Sequence, residues 1–367
     1  MTPISSIPPR IRSFGAKSPV KEPRLRFFSR LLLCACLIMT VGCGRQQSES
    51  PPSVQDSHKP STNAVAKQLK IGVTQIATHP GIDAVRKGFV DEMTRQGFRE
   101  GQEVAYEFTN ANGDFTVAQA IAKKFAASSL DLIFSISTPS SQTCMEATKN
   151  TSVPIVFGAV TDPLSAGLVK SLEKPGGRVT GTSDVWPIAD QFQLLRRLVP
   201  GVHRVGILHN PTEANSQHSV KIVNEVAKAD GLEIVSVPVN NANEVPAAAR
   251  SLIGRVDAIY IPADNTVISA IAAVVAVSEQ NKIPLMPGDT SNVEVGGFGT
   301  IGHDYYSIGV ESAKIASKIL RGTPPGDIPV ATSPVHQYYF NLISAKATGV
   351  QIPEELLKQA AKVYGSK

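Results

Sequence analysis

From residue 70 onward, short apolar runs alternate with segments that carry one apolar helical face, and this alternation constrains the fold more than any other feature. Most of the runs are continuous, which is typical of strands buried on both faces of a sheet. Between them, apolar residues recur at helical spacing, as in Ile82, Val85, Phe89 and Met93, with Gly97 as a natural stop. The predicted strands are KIGVTQ, EVAYEF, LDLIFSI, PIVFGAV, HRVGILH, LEIVSVPV, VDAIYIP, IPLMPG and GFGTIG.

Alternating strands and helices predict an α/β protein with doubly wound parallel sheets. Because so many strands do not fit comfortably into one sheet, we expect two lobes joined by a hinge with several chain crossings. Lobe 1 is predicted to contain residues 69–183 and about 297–323, and lobe 2 residues 184–296 and about 324–367. Open α/β sheets bind ligands at the carboxyl ends of their strands, so the cleft between the lobes is the expected site.

The first 43 residues differ in composition from the rest of the chain. A basic leader runs into the apolar stretch LLLCACLIMTVG and then Cys43, a pattern typical of an export signal. The stretch TVGC resembles the lipobox of bacterial lipoproteins, in which Cys43 would be lipidated, although Thr40 stands where that motif usually has Leu. An uncleaved anchor helix is the alternative interpretation.

Charge and composition limit the possible partners. The leader up to residue 42 holds seven Lys or Arg and one acid, so the formal net charge of +5 falls to about −1 without it. The basic balance therefore belongs to targeting and does not indicate nucleic-acid binding. Residues 44–68 are rich in Ser, Pro and Gln and lack apolar periodicity, which predicts a flexible tether.

Motifs for catalysis, metals and cofactors give no positive prediction. Cys144 lies in a predicted helix and is interpreted as a packing residue, and the scattered histidines have no metal-ligand spacing. Gly297, Gly299 and Gly302 spell G-x-G-x-x-G, but they come late in the chain and not in a first strand–helix unit, so we expect no dinucleotide. We predict no catalytic residues, no metal and no cofactor.

Small polar and acidic residues follow nearly every predicted strand. Helix N-caps favour the same residue types, so capping explains any single loop. Several such residues at one cleft edge indicate a ligand site, because helix N-termini and hydroxyls bind a carboxylate while carboxylates bind an ammonium group. The sequence therefore predicts a zwitterionic ligand such as an amino acid.

The segment VTQIATHPG, at the end of the first predicted strand, combines several polar residues with a proline. Pro80 is suited to the first turn of a helix, and Thr78 or His79 would be its cap. Gln75 is not needed for capping, so it is the residue of this segment that we most expect to contact ligand.

Ordered motifs along the chain resemble the substrate-binding lipoproteins of ABC importers in the tryptophan/tyrosine-type branch. The resemblance covers residues 70 to 365 and rests on TQIATHPGIDAVRKGF, VFGAVTDPLSAGLV, GRVTGTSD, HRVGILHNPTEANS, DAIYIPADNTVIS, GHDYYSIG and FNLISAKATGVQIPEEL. It implies a type I periplasmic-binding-protein fold, docking on an ABC permease, a monomer, and a small-molecule ligand whose identity varies among relatives, with aromatic amino acids as the best-known case. The positions that match the cleft residues of the family are Gln75, His79, Ser137, Thr138, Thr161, Asp162, Ser183, Asp184, Glu213, Asn215, Asp264, Asn265 and Asp289.

Two alternatives to an import receptor stay open at the level of sequence. An extracytoplasmic enzyme on the same scaffold would turn its ligand over, and a partner of a membrane sensor would share the binding residues. Trp186 is equally compatible with hinge packing and with an aromatic wall of the ligand site, and Tyr305 and Tyr306 pose the same choice.

Overall fold

The computed structural model describes residues 68–332 and 336–366, so the predicted signal, tether and lipidated Cys43 lie outside the described residues. Nine strands match the nine predicted apolar runs, and four more strands complete the sheets. In chain order the strands are β1 (Leu69–Gln75), β2 (Val104–Asn110), β3 (Leu132–Ile136), β4 (Ile155–Val160), β5 (Val179–Ser183), β6 (Arg204–His209), β7 (Glu233–Pro238), β8 (Ala258–Ile261), β9 (Leu285–Pro287), β10 (Gly299–Gly302), β11 (Ala331–Thr332), β12 (Gln337–Asn341) and β13 (Ala360–Tyr364).

Helices alternate with these strands, as the sequence predicts. Within the described residues none of them is both long and apolar enough to cross a membrane. They are α1 (Pro80–Arg95), α2 (Phe115–Ala127), α3 (Thr138–Ala147), α4 (Ile188–Leu198), α5 (Ala214–Ala229), α6 (Val245–Ser251), α7 (Asn265–Ser269), α8 (Ile271–Asn281), α9 (Tyr305–Leu320), α10 (Leu342–Thr348) and α11 (Glu354–Gln359).

Lobe 1 is built on a six-stranded sheet in the order β11-β5-β4-β3-β1-β2, with all pairs parallel. Strands β3, β4 and β5 are buried on both faces, because successive side chains point to opposite sides of a strand and helices cover both sides of the sheet. Phe134 and Val156 pack on the face that α1 and α9 cover, whereas Ile133, Ile155 and Phe157 pack on the other face with α2 and α3. The continuous apolar runs in the sequence have this physical origin.

Helices α1 and α9 lie against each other along their length and set the position of two site loops. Glycines make this close approach possible: a Cβ on Gly88 would overlap the carbonyl oxygen of Tyr306, and one on Gly309 would overlap that of Val85. The pairing places the start of α1, near His79, beside the start of α9 at Tyr305. Both of these residues line the same cavity.

Lobe 2 contains a parallel sheet in the order β7-β6-β8-β9 and a second sheet in the order β10-β12-β13. One hydrophobic core joins the two sheets, since Phe298 and Phe340 beside the second pack with Ile207, Tyr260 and Leu285 of the first. Helices α4 and α8 pack into the same core. The sequence shows the four parallel strands plainly, but β12 and β13 lack a comparable apolar run.

Two short segments differ from the predicted division of the chain. Strand β10 lies within the range predicted for lobe 1, yet it pairs antiparallel with β12 and belongs to the core of lobe 2. Strand β11 lies within the range predicted for lobe 2, yet it pairs with β5, and Ile328 and Val330 before it pack into the cores of lobe 1. Both strands are too short for the sequence to show which sheet they join, so their lobe is defined by the strands with which they pair.

The chain passes between the lobes at the ends of β5, β10 and β11. The first passage carries Asp184 and Trp186, and the second carries His303 and Asp304. His303 joins the two passages, because its Nε2 lies 2.7 Å from the carbonyl oxygen of Val185. The hinge is therefore a packed part of the structure, with Trp186 8% exposed.

Candidate functional site

A small cavity of about 30 Å³ lies at the carboxyl ends of the strands of both lobes, next to the hinge passages. Nine of the residues predicted to contact ligand line it, together with apolar and aromatic side chains. Its lining residues are His79, Ile82, Ser137, Thr138, Ala159, Thr161, Asp184, Trp186, Asn215, Ala263, Asp264, Asn265, Ile268, Asp289 and Tyr305.

Two aspartates at this cavity each use one carboxylate oxygen for the fold and leave the other unpartnered. Asp289 Oδ1 accepts hydrogen bonds from the backbone N–H and the hydroxyl of Ser291, at 2.7 and 2.6 Å. Asp184 Oδ2 accepts one from the Tyr305 hydroxyl at 3.0 Å. Within the described residues, Asp289 Oδ2 and Asp184 Oδ1 have no hydrogen-bond partner.

Burial disfavours the charged form of both carboxyl groups, because an ion loses its hydration in a protein interior. It raises the pKa of Asp289 to about 7, with a smaller contribution from the nearby charge of Asp184. It also raises the pKa of Asp184. A cation placed between these groups would reverse both shifts, so the pair is suited to bind one.

Trp186 and Tyr305 orient Asp184 through a chain of hydrogen bonds. The Trp186 Nε1–H donates to the Tyr305 hydroxyl at 3.0 Å, and that hydroxyl donates to Asp184 Oδ2. Trp186 also packs against Gly288, where a Cβ would overlap its ring. Both interpretations left open by the sequence hold together, since Trp186 packs the hinge and lines the cavity.

The first turn of α3 contributes two hydroxyl groups. Ser137 Oγ and Thr138 Oγ1 are buried and have no hydrogen-bond partner in the described structure. Ser137 adopts φ 78° and ψ 162°, a region that is essentially restricted to glycine and costs about 1–3 kcal/mol. Its backbone N–H is held by the carbonyl oxygen of Gly158 at 2.9 Å, which supports the strained conformation.

His79 contacts lobe 2 across the cavity. Its Nε2 lies 3.5 Å from Asn265 Oδ1, and its Nδ1 has no partner among the described residues. Burial lowers the pKa of His79 to about 4, so the imidazole is neutral at physiological pH. His79 is the N-cap residue of α1, but its side chain makes no capping hydrogen bond, so capping does not explain its presence.

Glu213 and Asp264 in lobe 2 have all of their carboxylate oxygens occupied. Glu213 accepts hydrogen bonds from the backbone and side chain of both Asn265 and Thr266, and from the side chain of Asn215. Asp264 accepts from Ser216 at 2.6 Å, from the Asn210 N–H and from the Val267 N–H at 2.8 Å. Their role is to hold the loops that present Asn215 and Asn265.

Four of the predicted ligand-binding residues lie outside the lining of the cavity. Gln75, the residue most expected to contact ligand, donates from Nε2 to the Ala77 carbonyl oxygen at 2.9 Å and to Asp83 at 3.1 Å. Ser183 donates to the Thr161 carbonyl oxygen at 3.2 Å, and Glu213 acts through the asparagines. The polar atoms of these side chains make hydrogen bonds within their own lobe, where they hold neighbouring loops in place.

Asp162 is the fourth of these residues and forms a contact between the lobes. Its Oδ2 lies 3.1 Å from Nδ1 of His218 on α5, and the two side chains are each 24% exposed. Asp162 also accepts a hydrogen bond from the Leu164 N–H at 3.1 Å. The pair therefore bridges the rim of the cleft and does not reach the cavity.

Sequence reasoning missed the apolar lining of the cavity. Ile82 and Ile268 belong to the first turns of α1 and α7, where an apolar residue has the same pattern as any core residue. Ala159 reaches the cavity because β4 has an irregular register there and its backbone adopts φ 54°. No signal in the sequence marks that irregularity.

Comparison with known proteins identifies the family. The family model described as ABC transporter substrate binding protein matches residues 70–364. A tyrosine-binding protein from Clostridioides difficile (strain R20291) is 36% identical over 321 residues, which cover 88% of this chain and 92% of the relative.

Two solved structures add a comparison of shape. A domain from Streptococcus pneumonia in complex with L-Trp is 35% identical, with a TM-score of 0.77 over 81% of this chain and 99% of that chain. A ligand-free, open substrate binding protein from Clostridium difficile is 38% identical, with a TM-score of 0.61 over 81% and 100%. The described residues thus have the fold of type I periplasmic binding proteins, and the chain belongs to the family of ABC transporter substrate-binding proteins.

Proposed function

We propose that this chain is the membrane-tethered, extracytoplasmic receptor of an ABC importer, and that it binds an amino acid, preferably an aromatic one, between its lobes. The proposal rests mainly on one observation. Unpartnered carboxylate oxygens of Asp184 and Asp289 and unpartnered hydroxyls of Ser137 and Thr138 line the same buried cavity of the described chain. Buried polar atoms are almost always hydrogen-bonded, so such a concentration of free ones calls for a ligand.

The two groups of free atoms are complementary to the two charges of an amino acid. The carboxylate oxygens accept hydrogen bonds from an ammonium group and provide opposite charge. The hydroxyls, at the N-terminus of the ten-residue helix α3, donate toward a carboxylate where the helix dipole favours negative charge. One zwitterion would satisfy both groups.

An aromatic side chain suits the remaining walls of the cavity. Trp186, Tyr305, Ile82 and Ile268 provide apolar and aromatic surface there. Aromatic pairs gain about 0.5–1.5 kcal/mol beyond the burial of their area. The relatives named for tyrosine and bound to L-Trp support the same side-chain class.

The lobes have a closed arrangement, which is the state expected with ligand bound. The two solved relatives have nearly the same identity over the same share of this chain, yet the TM-score is 0.77 for the L-Trp complex and 0.61 for the open form. The difference is consistent with lobe movement within one fold. The contacts between His79 and Asn265 and between His218 and Asp162 would form on closure.

The place of this receptor in the cell is inferred from the leader and the family. Export with lipidation at Cys43 would leave the folded part tethered outside the cytoplasm, where the closed form docks on a permease. We propose a monomer that releases its ligand unchanged, with no catalytic residue and no cofactor. The division of the chain into two lobes, with the passages at the ends of β5, β10 and β11, is part of the same proposal.

Ligand screening tests the binding function directly. Native mass spectrometry of the purified protein identifies material retained from cells, and thermal shifts with the twenty amino acids follow. A cognate amino acid at a hundred times its Kd is expected to raise Tm by about 5 °C or more. Asp184→Asn and Asp289→Asn are expected to abolish the shift, and Asp327→Asn, at an exposed carboxylate, to retain it.

Several results would contradict the proposal. The binding function fails if no amino acid raises Tm, or if Asp184→Asn and Asp289→Asn bind as well as the parent. Recovery of chemically altered ligand after incubation would favour the alternative that the chain is an extracytoplasmic enzyme. Two experiments in cells test the import role and the lipid anchor. Uptake of the labelled amino acid should depend on the gene, and unchanged uptake in a deletion strain would exclude import as its role. Cys43→Ser should move the protein from the membrane to the soluble fraction.

A further inference from the structure

The ionisable side chains that line the cavity are mostly acidic, and burial raises the pKa of both Asp264 and Asp289 to about 7. Asp184, Asp264 and Asp289 line the cavity, whereas no Lys or Arg does so in the described chain. Burial lowers the pKa of the lining histidine, His79, to about 4, so it supplies no positive charge at neutral pH. His303, which lies near Asp184, is engaged by the Val185 carbonyl oxygen and is not part of the lining.

Three carboxylate and amide oxygen atoms of the lining have no partner in the described structure: Asp184 Oδ1, Asp289 Oδ2 and Asn215 Oδ1. The amide nitrogen of Asn215 is already used twice, on Glu213 and on the carbonyl oxygen of Ala263, which fixes its oxygen as the free end. His79 Nδ1 is a further unpartnered lining atom, and it accepts when Nε2–H donates to Asn265 Oδ1. A primary ammonium group has three N–H donors, so it can engage several of these acceptors at once.

The free donors, in contrast, are neutral. Ser137 and Thr138 offer hydroxyl groups with no charge behind them except the dipole of α3. Hydroxyls bind a carboxylate, an amide oxygen or a water molecule, so they do not require an anion. A hydrogen bond to a charged group is worth about twice a neutral one, and each ammonium contact to Asp184 or Asp289 pairs two charges away from water.

We propose that the ammonium group, and not the carboxylate, is the part of the ligand that this site requires. The ligand class then extends from amino acids to primary amines and to carboxyl-modified amino acids, such as amides, that have the same side chain. Asp184 and Asp289 are the residues that determine this specificity. The inference rests on the proposed binding function and defines which end of the ligand supplies most of the affinity.

Matched ligand sets test the inference on the unmodified protein. One set is tyrosine, tyramine, tyrosinamide and 3-(4-hydroxyphenyl)propionate, and the other is tryptophan, tryptamine, tryptophanamide and indole-3-propionate. Isothermal titration at pH 7.5 gives each Kd. We expect the amine and the amide to bind within about tenfold of the amino acid, and the acid without an ammonium group to bind at least about a hundredfold more weakly.

The double variant Asp184→Asn/Asp289→Asn provides the matched control. It is expected to lose affinity for the amine by at least about a hundredfold and for the deaminated acid by less than about tenfold, because only the first contains the charge that the aspartates bind. Circular dichroism and Tm without ligand check that the variant is folded. If it is not, the ligand sets on the parent protein decide alone.

The outcomes separate this inference from the function on which it rests. If the amino acid binds but the amine does not, or the deaminated acid binds as tightly as the amino acid, the inference is wrong and the receptor function stands. If no member of either set binds, and no other amino acid does, both are wrong. Equal loss of amine and acid in the double variant also contradicts the assigned role of the aspartates.

Discussion

Two pairs of buried acidic residues lie at the same cleft and differ in how their oxygens are used. Glu213 and Asp264 are saturated by hydrogen bonds from the loops of lobe 2. Asp184 and Asp289, on segments next to the hinge, each keep one oxygen without a partner in the described structure. All four residues are buried and acidic, so only their hydrogen bonds distinguish the two that hold the loops of the cleft from the two that we propose to bind ligand.

This difference implies different consequences of substitution. A saturated buried carboxylate leaves its donors without partners when it is removed, which costs stability. A half-free carboxylate is itself poorly solvated, so neutralising it costs little stability but removes the partner of a cation. The following predictions test the comparison, from the largest expected effect to the smallest.

Glu213→Ala should give the largest loss of stability. It removes the acceptor of five hydrogen bonds from Asn215, Asn265 and Thr266, and a buried donor without a partner costs about 1–3 kcal/mol. We expect the free energy of unfolding in urea to fall by about 3–5 kcal/mol. Glu225→Ala, at an exposed position of α5, serves as the control. A loss of unfolding free energy below about 1 kcal/mol would show that the hydrogen bonds of Glu213 contribute little to stability.

Asp289→Asn should have the opposite profile. Its Oδ1 contacts with Ser291 survive in the amide, and the unfavourable burial of charge is relieved. We expect the unfolding free energy to stay within about 1 kcal/mol of the parent while ligand affinity falls by about a hundredfold or more. Urea denaturation and titration calorimetry measure the two quantities. If Asp289→Asn lost unfolding free energy as well as ligand affinity, Asp289 would contribute to stability as Glu213 does, and the proposed difference between them would be wrong.

Ligand affinity should fall as the pH falls from about 7.5 to 5.5. The pKa of Asp289 is raised to about 7 in the unliganded cavity, so below that pH an ammonium ligand must displace a proton. His79 acts in the same direction. Its pKa of about 4 keeps the buried ring neutral, whereas a solvated imidazole takes up a proton near its ordinary pKa, so acidification favours states in which the ring is solvated.

One displaced proton weakens binding by up to about tenfold per pH unit below the pKa. Calorimetry in buffers of different ionisation enthalpy should register proton release at pH 6 and a smaller release in Asp289→Asn, where Asp184 and Asp264 keep their raised pKa values. An affinity that is constant across this range, or that increases on acidification, would show that Asp289 is already ionised before binding.

Tyr305→Phe tests the orientation of the free oxygen of Asp184. The change removes the hydroxyl that donates to Asp184 and accepts from Trp186 Nε1–H. We expect affinity to fall by about tenfold because both hydrogen bonds of the chain are lost, and we expect a smaller loss for Trp186→Phe, which removes only the bond between Trp186 and Tyr305. Tyr306→Phe, whose hydroxyl contacts Asp91 outside the cavity, is the control and should bind as the parent does.

His218→Ala should have the smallest effect. The His218 and Asp162 side chains are partly exposed, and contacts of this kind contribute about 0–1 kcal/mol. A decrease in affinity of no more than about fivefold is expected, with association little changed and dissociation faster, as surface plasmon resonance would detect. A hundredfold loss would mean that the rim of the cleft contributes as much to affinity as the aspartates of the cavity.

The sequence predicted the fold in more detail than the site. Apolar runs and intervening helical faces predicted nine strands, and the clearest of these are the central strands β3, β4 and β8, because burial on both faces of a parallel sheet leaves a direct trace in composition. No such trace marks β11, whose two residues pair with β5, or β13 at a sheet edge. Short and edge strands are defined by their partners, which lie far away in the chain.

For the site, position after a strand was informative, but the direction of each side chain was not. Thr138, Asp184 and Asp289 line the cavity as expected, whereas Gln75 turns to Asp83 in its own lobe. Both kinds of residue are small or polar and follow strands. Whether a polar atom meets a neighbour or a cavity depends on distances of a few ångströms between loops, which no local pattern encodes.

From the sequence alone, an α/β fold with a polar cleft edge and an export signal could be predicted, because hydrophobic periodicity and leader composition are local features. Only the tertiary structure decided which acids are saturated, like Glu213, and which are half-free, like Asp184. It also brought Trp186 and Tyr305 together across 119 residues of sequence to orient a carboxylate. Such assignments arise from packing between distant loops, and the proposed ligand recognition is built on them.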